Sequence, residues 1–329
     1  MSSLPRTQKA IQITEHGDSS VLKLRQVPVP KAVGPNQLLV QNQVSGVNFI
    51  DTYHRTGLYP VALPLILGRE GAGRVVGVGE GVEGFVPGDR VAYAGAGSYA
   101  QYSVVPVTTT MKLPDNLGED IAAASFLQGL TALSLVRLAY TVRPNDWVLV
   151  QAAAGGTGLL LCQLCKLAGA TVIGTVSTEE KAALARKAGA DHIIFYTKES
   201  VPESVHQLTN GQGVHVVYDG VGKSTFQGSI ASLRRLGSMI SFGNASGRVE
   251  PVDIGLLQKD NLRLMRPSLF KYMTTRQEFL ELAEPLMELL ENKKLDIHIS
   301  KVYPLAEASK AHDALEGRKT TGKVLLSVS

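Results

Sequence analysis

Cysteine is almost missing from this chain: only Cys162 and Cys165 occur in 329 residues. Two cysteines cannot build a disulfide framework, which fits a reducing compartment such as the cytosol. The opening stretch, MSSLPRTQKAIQITEHG, holds no apolar core of signal-peptide length, and no run elsewhere reads as long enough to cross a membrane. Charge of one sign is also scarce, with 33 basic residues against 29 acidic ones and a net charge of +4. Nucleic-acid and membrane partners are usually met by clustered Lys and Arg, whereas Arg234-Arg235 and Lys293-Lys294 are isolated pairs. The expectation is a soluble cytoplasmic protein with neither partner.

Metal and nucleophile signatures are missing too. The seven histidines (His16, His54, His192, His206, His215, His298, His312) are scattered, with no H-E-x-x-H, and no G-x-S-x-G occurs. Cys162-x-x-Cys165 has the spelling of a redox or zinc pair. It lies inside Leu159-Leu-Leu-Cys-Gln-Leu-Cys-Lys-Leu167, however, where two cysteines on an apolar helix read as core packing. No metal site is expected. Hydride transfer requires none of these groups, because a cofactor carries the difficult step while the protein orients and shields it.

What is present is an organised two-part pattern, as the length alone suggests. The 33 glycines are irregularly placed, which argues for tight turns. Over the first 110 or so residues, short runs (Lys9-Ile13, Gln37-Val44, Gly73-Val78, Arg90-Tyr93, Ala100-Val105) alternate with Gly and Pro punctuation. The glycines from Gly71 to Gly79 suggest a sharply bent strand in a compact antiparallel β domain. After Pro114 the pattern changes. Glu119 to Ala139 has helical spacing, and strands then alternate with helices: Trp147-Gln151, Thr171-Val176, His192-Tyr196, Val214-Asp219 and Ser238-Phe242 around Gly158-Leu167, Thr178-Ala188, Val201-Leu208 and Lys223-Leu233. Nearly unbroken apolar strands in such alternation predict a parallel sheet covered on both faces. Arg276-Glu291 reads as a further helix, and Val302-Val328 as a return to the first domain. The prediction is therefore an α/β chain in which residues 125–268 are inserted between 1–124 and 269–329.

The strongest local signal is Trp147-Val-Leu-Val-Gln-Ala-Ala-Ala-Gly-Gly-Thr-Gly158, an apolar strand running into a glycine turn that opens a helix. That is the setting of the dinucleotide fingerprint, where backbone amides and a helix N-terminus hold a diphosphate. Ala153 stands at the first glycine position, Gly155 and Gly158 at the second and third, with Gly156 added. NAD-binding proteins carry an acid near the end of the second strand for the ribose hydroxyls. Here the strand runs Gly174-Thr-Val-Ser177, with Lys181 beyond it and Tyr196 closing the third strand. A hydroxyl, an ammonium and a flat ring suit a 2′-phosphate and its adenine, which favours NADPH; the alternative for Lys181 is an ordinary surface lysine. Ser177-Thr-Glu-Glu180 fits a capping box that would turn Glu180 away.

Several blocks then resemble one family. Gly46-Val-Asn-Phe-Ile-Asp-Thr-Tyr53, Thr56-Gly-Leu-Tyr-Pro60, Leu67-Gly-Arg-Glu-Gly-Ala-Gly73, Ala124-Ser-Phe-Leu-Gln-Gly-Leu-Thr-Ala132, Ala152-Ala-Ala-Gly-Gly-Thr-Gly158, Ser241-Phe-Gly-Asn-Ala-Ser246 and Arg266-Pro-Ser268 occur in order along the chain. Together they resemble the quinone oxidoreductases, or zeta-crystallin group, of the medium-chain dehydrogenase/reductase superfamily. The resemblance implies a GroES-like β-barrel catalytic domain beside a Rossmann-type doubly wound sheet. Zinc relatives carry ligands where this chain has Asn48 and Arg69, and the four-cysteine structural zinc lobe is missing. It therefore implies a zinc-free enzyme passing reducing equivalents from NADPH to a quinone in an interdomain cleft.

Block by block, the resemblance implies that Gly155, Gly156, Thr157 and Gly158 hold the diphosphate, while Gly174, Ser177, Lys181 and Tyr196 surround the adenosine phosphate. Asn48, Asp51, Tyr53, Tyr59 and Thr131 would line the nicotinamide and substrate site. Phe242, Gly243, Asn244, Arg266 and Ser268 would cover the nicotinamide, with Arg318 near the adenosine. Tyr53 and Tyr59 have a second reading as caps on a core edge; alternatively the Tyr53 hydroxyl donates to an oxygen that gains charge. Relatives form homodimers or homotetramers, and some bind AU-rich RNA or serve as lens proteins. The alternatives to quinone reduction are thus reduction of enones or enoyl compounds, and an RNA-binding or structural role.

Overall fold

The computed structural model describes residues 4–30 and 33–328. It divides into two units: residues up to Leu127 together with those from Met273 onward, and Gln128–Tyr272. The cuts fall a few residues after those expected, the first inside a helix. Residues 1–3, 31, 32 and 329 of the expected outer domain lie outside the described residues.

The first unit runs β1 (Thr7–Ile13), β2 (Lys23–Pro28), β3 (Gln37–Val47), α1 (Phe49–Thr56), β4 (Leu65–Ile66), β5 (Glu70–Val78), β6 (Arg90–Ala94), β7 (Tyr102–Pro106) and β8 (Thr110–Lys112). Helix α2 (Glu119–Ser134) then leads out of it. Long β3 organises the unit. It pairs with β5 along one edge and with β7 near its start on the other. Register shifts at Leu39/Val40 and Asn42/Val44 bend this β3–β5 pair. Glycine permits the approach: a Cβ on Gly73 would lie 2.0 Å from the Gln41 carbonyl oxygen. Beneath the bend, Leu38, Val40, Val75, Val91, Tyr93 and Val105 pack as one buried cluster.

The second unit holds β9 (Trp147–Val150), α3 (Gly156–Leu167), β10 (Thr171–Val176), α4 (Glu179–Lys187), β11 (His192–Phe195), α5 (Val201–Leu208), β12 (Val214–Asp219), α6 (Phe226–Ala231), β13 (Leu233–Ser241) and β14 (Arg263–Met265). These strands form one sheet in the order β11-β10-β9-β12-β13-β14, and every pairing is parallel. By chain order that is 3-2-1-4-5-6, so the winding reverses between β9 and β12, where such sheets bind ligands. Leu149, Ile173, Ile194, Val217 and Met239 form its core. The sequence reading passed over β14 because three mostly exposed residues make no apolar run. It also drew α6 too long: the Asp219 carboxylate accepts from the amides of Val221 and Gly222 and the hydroxyl of Thr225, holding that stretch as a loop.

The chain returns to the first unit as α7 (Arg276–Glu291), β15 (Ile299–Pro304), α8 (Ala308–Glu316) and β16 (Lys323–Ser327). Strand β16 takes the remaining edge of β3, Val44–Val47, and joins Ile11, Ile13, Leu67 and Tyr99 in a second buried cluster.

One expectation needs correction. The helix Glu119–Ala139, which is α2 plus a closing π-helical turn, is long and apolar enough to cross a membrane by length and composition. However, 72% of its apolar window is buried inside the protein, so packing accounts for its hydropathy.

Candidate functional site

In the second unit the glycine turn sits at the carboxyl end of β9, beside the winding reversal. Ala152 adopts a φ of 53°, a conformation an L-residue holds only under constraint. The constraint is a buried polar chain. The Ala152 amide donates to Thr175 Oγ1 at 3.1 Å, and Thr175 Oγ1 donates to Gln151 Oε1 at 2.8 Å. Gln151 Nε2 then donates to Ser229 Oγ at 3.1 Å, and Ser229 to Asp219 Oδ2 at 2.7 Å. The ends of β9, β10 and β12 are thereby fixed together.

The glycines have separable roles. A Cβ on Gly158 would meet the Ala152 carbonyl oxygen at 2.4 Å, so Gly158 lets α3 pack on the strand. One on Gly156 would strike the Gln128 side chain at 2.1 Å, whereas one on Gly155 would meet only the Ala152 oxygen, at 3.3 Å. Gly155 is the N-cap of α3 and offers no side-chain acceptor, so the amides of Gly156, Thr157 and Gly158 are left uncapped. An uncapped first turn at the positive end of a helix can receive an anion. Gly174 serves the same turn from below, since its Cβ would lie 2.8 Å from that of Ala153.

Beyond β10 the expected Ser177–Glu180 capping box does not form. Thr178, not Ser177, is the N-cap of α4 and accepts from the Lys181 amide at 3.3 Å. Glu179 and Glu180 occupy the exposed first turn, and the Ser177 hydroxyl is left over for another acceptor. Tyr196 keeps 39% of its surface exposed. After β13, the Phe242 ring lies against Gly220, where a Cβ would come within 2.8 Å of it. Arg266 donates to Ser241 Oγ at 3.0 Å and to the Gly243 carbonyl at 2.9 Å, fixing the segment that continues to buried Asn244. Ser268 precedes the helical turn Leu269–Lys271, and Thr131 lies on the part of α2 in this unit.

In the first unit, Asn48, Asp51, Tyr53 and Tyr59 gather on and after α1, a helix the sequence reading did not predict. Asn48 is its N-cap, and Asp51, in its first turn, accepts from the Asn48 backbone N–H at 2.9 Å. The rings of Tyr53 and Tyr59 meet edge to face, with centroids 5.0 Å apart. Arg318 follows α8 with a φ of 55°.

Behind these residues lie two buried networks. Asn48 Nδ2 donates to Glu70 Oε1 at 2.6 Å, and Lys323 Nζ donates to Asn48 Oδ1 at 2.8 Å and to Glu70 Oε1. The other Glu70 oxygen accepts from the Leu127 amide at 2.6 Å. In the second network Tyr99 Oη lies 3.0 Å from Asp51 Oδ2 and 3.2 Å from His312 Nε2, while Arg55 Nη1 lies 3.2 Å from His312 Nδ1. Arg55 also grips Glu316 with two 2.8 Å bonds. Arginine only donates, so His312 accepts at Nδ1 and carries its proton on Nε2, which donates to Tyr99; the Tyr99 proton then points to Asp51. Burial, reinforced by Arg55, pushes His312 down to about 3, so it takes no second proton.

Sequence reasoning missed Glu70, Lys323, Tyr99, His312 and Arg55, because their partners are far apart in the chain. Only Asn48-x-x-Asp51 had a local signal, its cap spacing. Among the described residues no group of three or more His, Cys, Asp or Glu side chains is placed to hold a metal ion.

Comparison with known proteins agrees with this architecture. Residues 34–115 match the alcohol dehydrogenase GroES-like domain. Residues 156–288 match the zinc-binding dehydrogenase family. The chain is 45% identical over 322 residues to the quinone oxidoreductase of Salmonella typhimurium, covering 96% of this chain and 98% of that one. It is 40% identical over 305 residues to a 2-haloacrylate reductase of Burkholderia sp, covering 89% and 91%. The solved structure of Escherichia coli quinone oxidoreductase complexed with NADPH superposes with a TM-score of 0.93 at 43% identity, covering 97% of this chain and 99% of that one. The GroES-like domain and Rossmann-type sheet expected from the sequence are both borne out.

Asp51 yields a pH prediction. Its Oδ1 is buried without a hydrogen-bond partner. Burial lifts its carboxyl to about 7, with the Glu70 charge adding to the rise and the Asn48 backbone N–H, Tyr99 and Lys323 opposing it; Arg69 also faces it. Between the unfolded value of 3.8 and about 7 the folded chain holds a proton that the unfolded chain has released, so this site loses stability as pH rises through that window and changes little above it. Asn cannot ionise and keeps an oxygen for the Asn48 and Tyr99 donors. The melting temperature of Asp51→Asn minus that of the native chain should therefore rise from acid to neutral pH and then level; a pH-independent difference in thermal melts would contradict the assignment.

Proposed function

The chain belongs to the quinone oxidoreductases of the medium-chain dehydrogenase/reductase superfamily, and from that membership we infer that it is an NADPH-dependent quinone reductase. The observation that carries the cofactor choice is the carboxyl end of β10: no acid stands there, and the cap on Thr178 leaves the Ser177 hydroxyl to a phosphate. When bound, NADPH supplies a hydride equivalent. The uncapped amides of Gly156, Thr157 and Gly158 take the diphosphate, with Gly155 keeping the approach open. Ser177, Lys181 and Tyr196 take the adenosine phosphate and ring, and the Phe242–Asn244 segment braced by Arg266 supports the nicotinamide. In the first unit, Asn48, Asp51, Tyr53 and Tyr59 serve the acceptor.

Zinc does not suit this donor set. Where zinc relatives have ligands, the Asn48 amide is committed to Lys323 and Glu70, and Arg69 presents a cation. No step is routed through a metal. Buried, unpaired Cys162 and Cys165 fit a reducing cytoplasm; burial pushes Cys162 up to about 12 and Cys165 upward as well, which keeps both as unreactive thiols.

We further propose a homodimer or homotetramer built on the second unit. Strand β14 ends the sheet with an unpaired edge, and Leu236, Met265 and Ile254 stand exposed, Ile254 at 81%. Sedimentation should show the oligomer, and a monomer at every concentration would refute it.

Two kinetic tests follow. NADPH oxidation should proceed with ortho- and para-quinones faster than with α,β-unsaturated carbonyl compounds; the absence of turnover across a quinone panel would remove the reading. Lys181→Ala should weaken NADPH binding about tenfold or more, as loss of a charge-assisted contact does, and leave NADH nearly unaffected. Equal loss with both cofactors, measured by quenching of their fluorescence, would reject the phosphate assignment.

A further inference from the structure

The amide of Asn48 has only one orientation open to it. Lys323 can only donate and an ionised Glu70 can only accept, so the amide oxygen must face the ammonium and the nitrogen the carboxylate. One Nδ2 hydrogen is used on Glu70 at 2.6 Å. The other meets only the Gly46 carbonyl, at 3.4 Å, too far for a good bond. An ammonium on the amide oxygen draws density from the nitrogen, the carboxylate on the first N–H returns part of it, and together the two ions fix the direction of the remaining N–H.

The surroundings are shaped for this pair. Lys323 is 1% exposed and Glu70 fully buried. A buried ion pair is a poor device for stability, since well-packed apolar residues often do as well or better. The backbone has also yielded to it: a Cβ on Gly46 would sit 2.2 Å from Glu70 Oε1, so only glycine lets the carboxylate reach Asn48. The pair thus holds an amide at the position where zinc relatives have a metal ligand, with a fixed cation behind it.

We propose that Lys323, held by Glu70, is a positioning residue for the reduction: it orients and polarises the Asn48 amide so that its second N–H donates to the quinone oxygen on which negative charge develops. This rests on the quinone-reductase reading and deepens it. NADPH would be oxidised to NADP⁺ as the quinone gains a hydride equivalent, whose two electrons enter the ring system and whose hydrogen ends on one oxygen. The other oxygen is left anionic, is held by the Asn48 N–H, and takes a proton from water to complete the hydroquinone. Lys323 and Glu70 exchange neither proton nor electron.

The test compares the full-length chain with Lys323→Met, Lys323→Arg, Asn48→Ala and the double variant Lys323→Met/Asn48→Ala. Lys323→Met should lower kcat for a quinone about tenfold or more, a fraction of the loss from deleting a direct oxyanion donor, with the KM for NADPH unchanged. Lys323→Arg should recover most of it. In the Asn48→Ala background Lys323→Met should cost nothing further, because the two residues act as one. An unchanged kcat, or the same additional loss in both backgrounds, overturns the proposal. If the native chain turns over no quinone, the functional reading fails and this inference with it; turnover by the native chain with no effect of Lys323→Met sinks the inference alone. A second measurement needs no variant to fold. In nitrogen-15 spectra of the native protein with NADP⁺ and duroquinone, which do not react together, one Asn48 side-chain proton should move downfield, and no movement would overturn the proposal.

Discussion

The buried Glu70 carboxylate is the point on which the first unit depends. One oxygen takes the Lys323 ammonium and the Asn48 amide, and the other takes the Leu127 N–H. Through these bonds the start of β5, the last strand β16, the cap of α1 and the helix that leaves the unit share one carboxylate. Removing one member of such a buried set leaves an uncompensated charge, typically at a cost of about 3–5 kcal/mol. Gly46 and Asn48 carry the matching constraints, one by having no side chain and the other by having an amide of the right handedness.

The second unit answers a different constraint. Its turn must present unpaired backbone amides to a ligand while every neighbouring polar group stays satisfied. The Asp219–Ser229–Gln151–Thr175 chain does this by holding Ala152 at its positive φ, so strain at the turn is borne by buried hydrogen bonds among β9, β10 and β12. The glycines can then be sorted. Gly158 is required by packing, since its Cβ would run into backbone, whereas a Cβ on Gly156 would meet only the movable end of Gln128 and one on Gly155 only the Ala152 oxygen at 3.3 Å.

Much of this was legible beforehand. Parallel strands with apolar runs announce themselves, and β9, β10, β11 and β12 fell where the pattern put them, as did α5 and α7. The turn was legible because its signal is local, a strand, glycines and a helix in sequence. Elements without such a signal were lost: β14 is short and exposed, and α1 is brief, with a cap that reads only as part of a family block. The cap of α4 slipped by one residue because Ser177 and Thr178 are chemically equivalent as caps, and only backbone geometry chooses between them. Harder still are the side chains behind the acceptor residues. Glu70 and Lys323 are separated by 253 positions, and Arg55 and His312 by 257, so no spacing rule can pair them.

That difference bears on how the two units divide the chemistry. The glycine turn is made mostly of backbone, so its signature is a local run of residues. The groups around α1 are side chains, and burial sets the protonation of Asp51 and His312 among them. Glu70 shows how the settings couple: its negative charge fixes Lys323 and Asn48, and the same charge helps to keep Asp51 protonated toward neutrality. A metal in that place would favour an ionised Asp51 and would exchange with solvent ligands. The Lys323 ammonium is covalently anchored and largely neutralised by Glu70, so it orients the amide while leaving the neighbouring carboxyl able to stay neutral. Exchanging a metal for an ammonium paired with Glu70 therefore changes more than the Lewis acid: it leaves a carboxylate whose charge helps to raise the neighbouring Asp51 carboxyl.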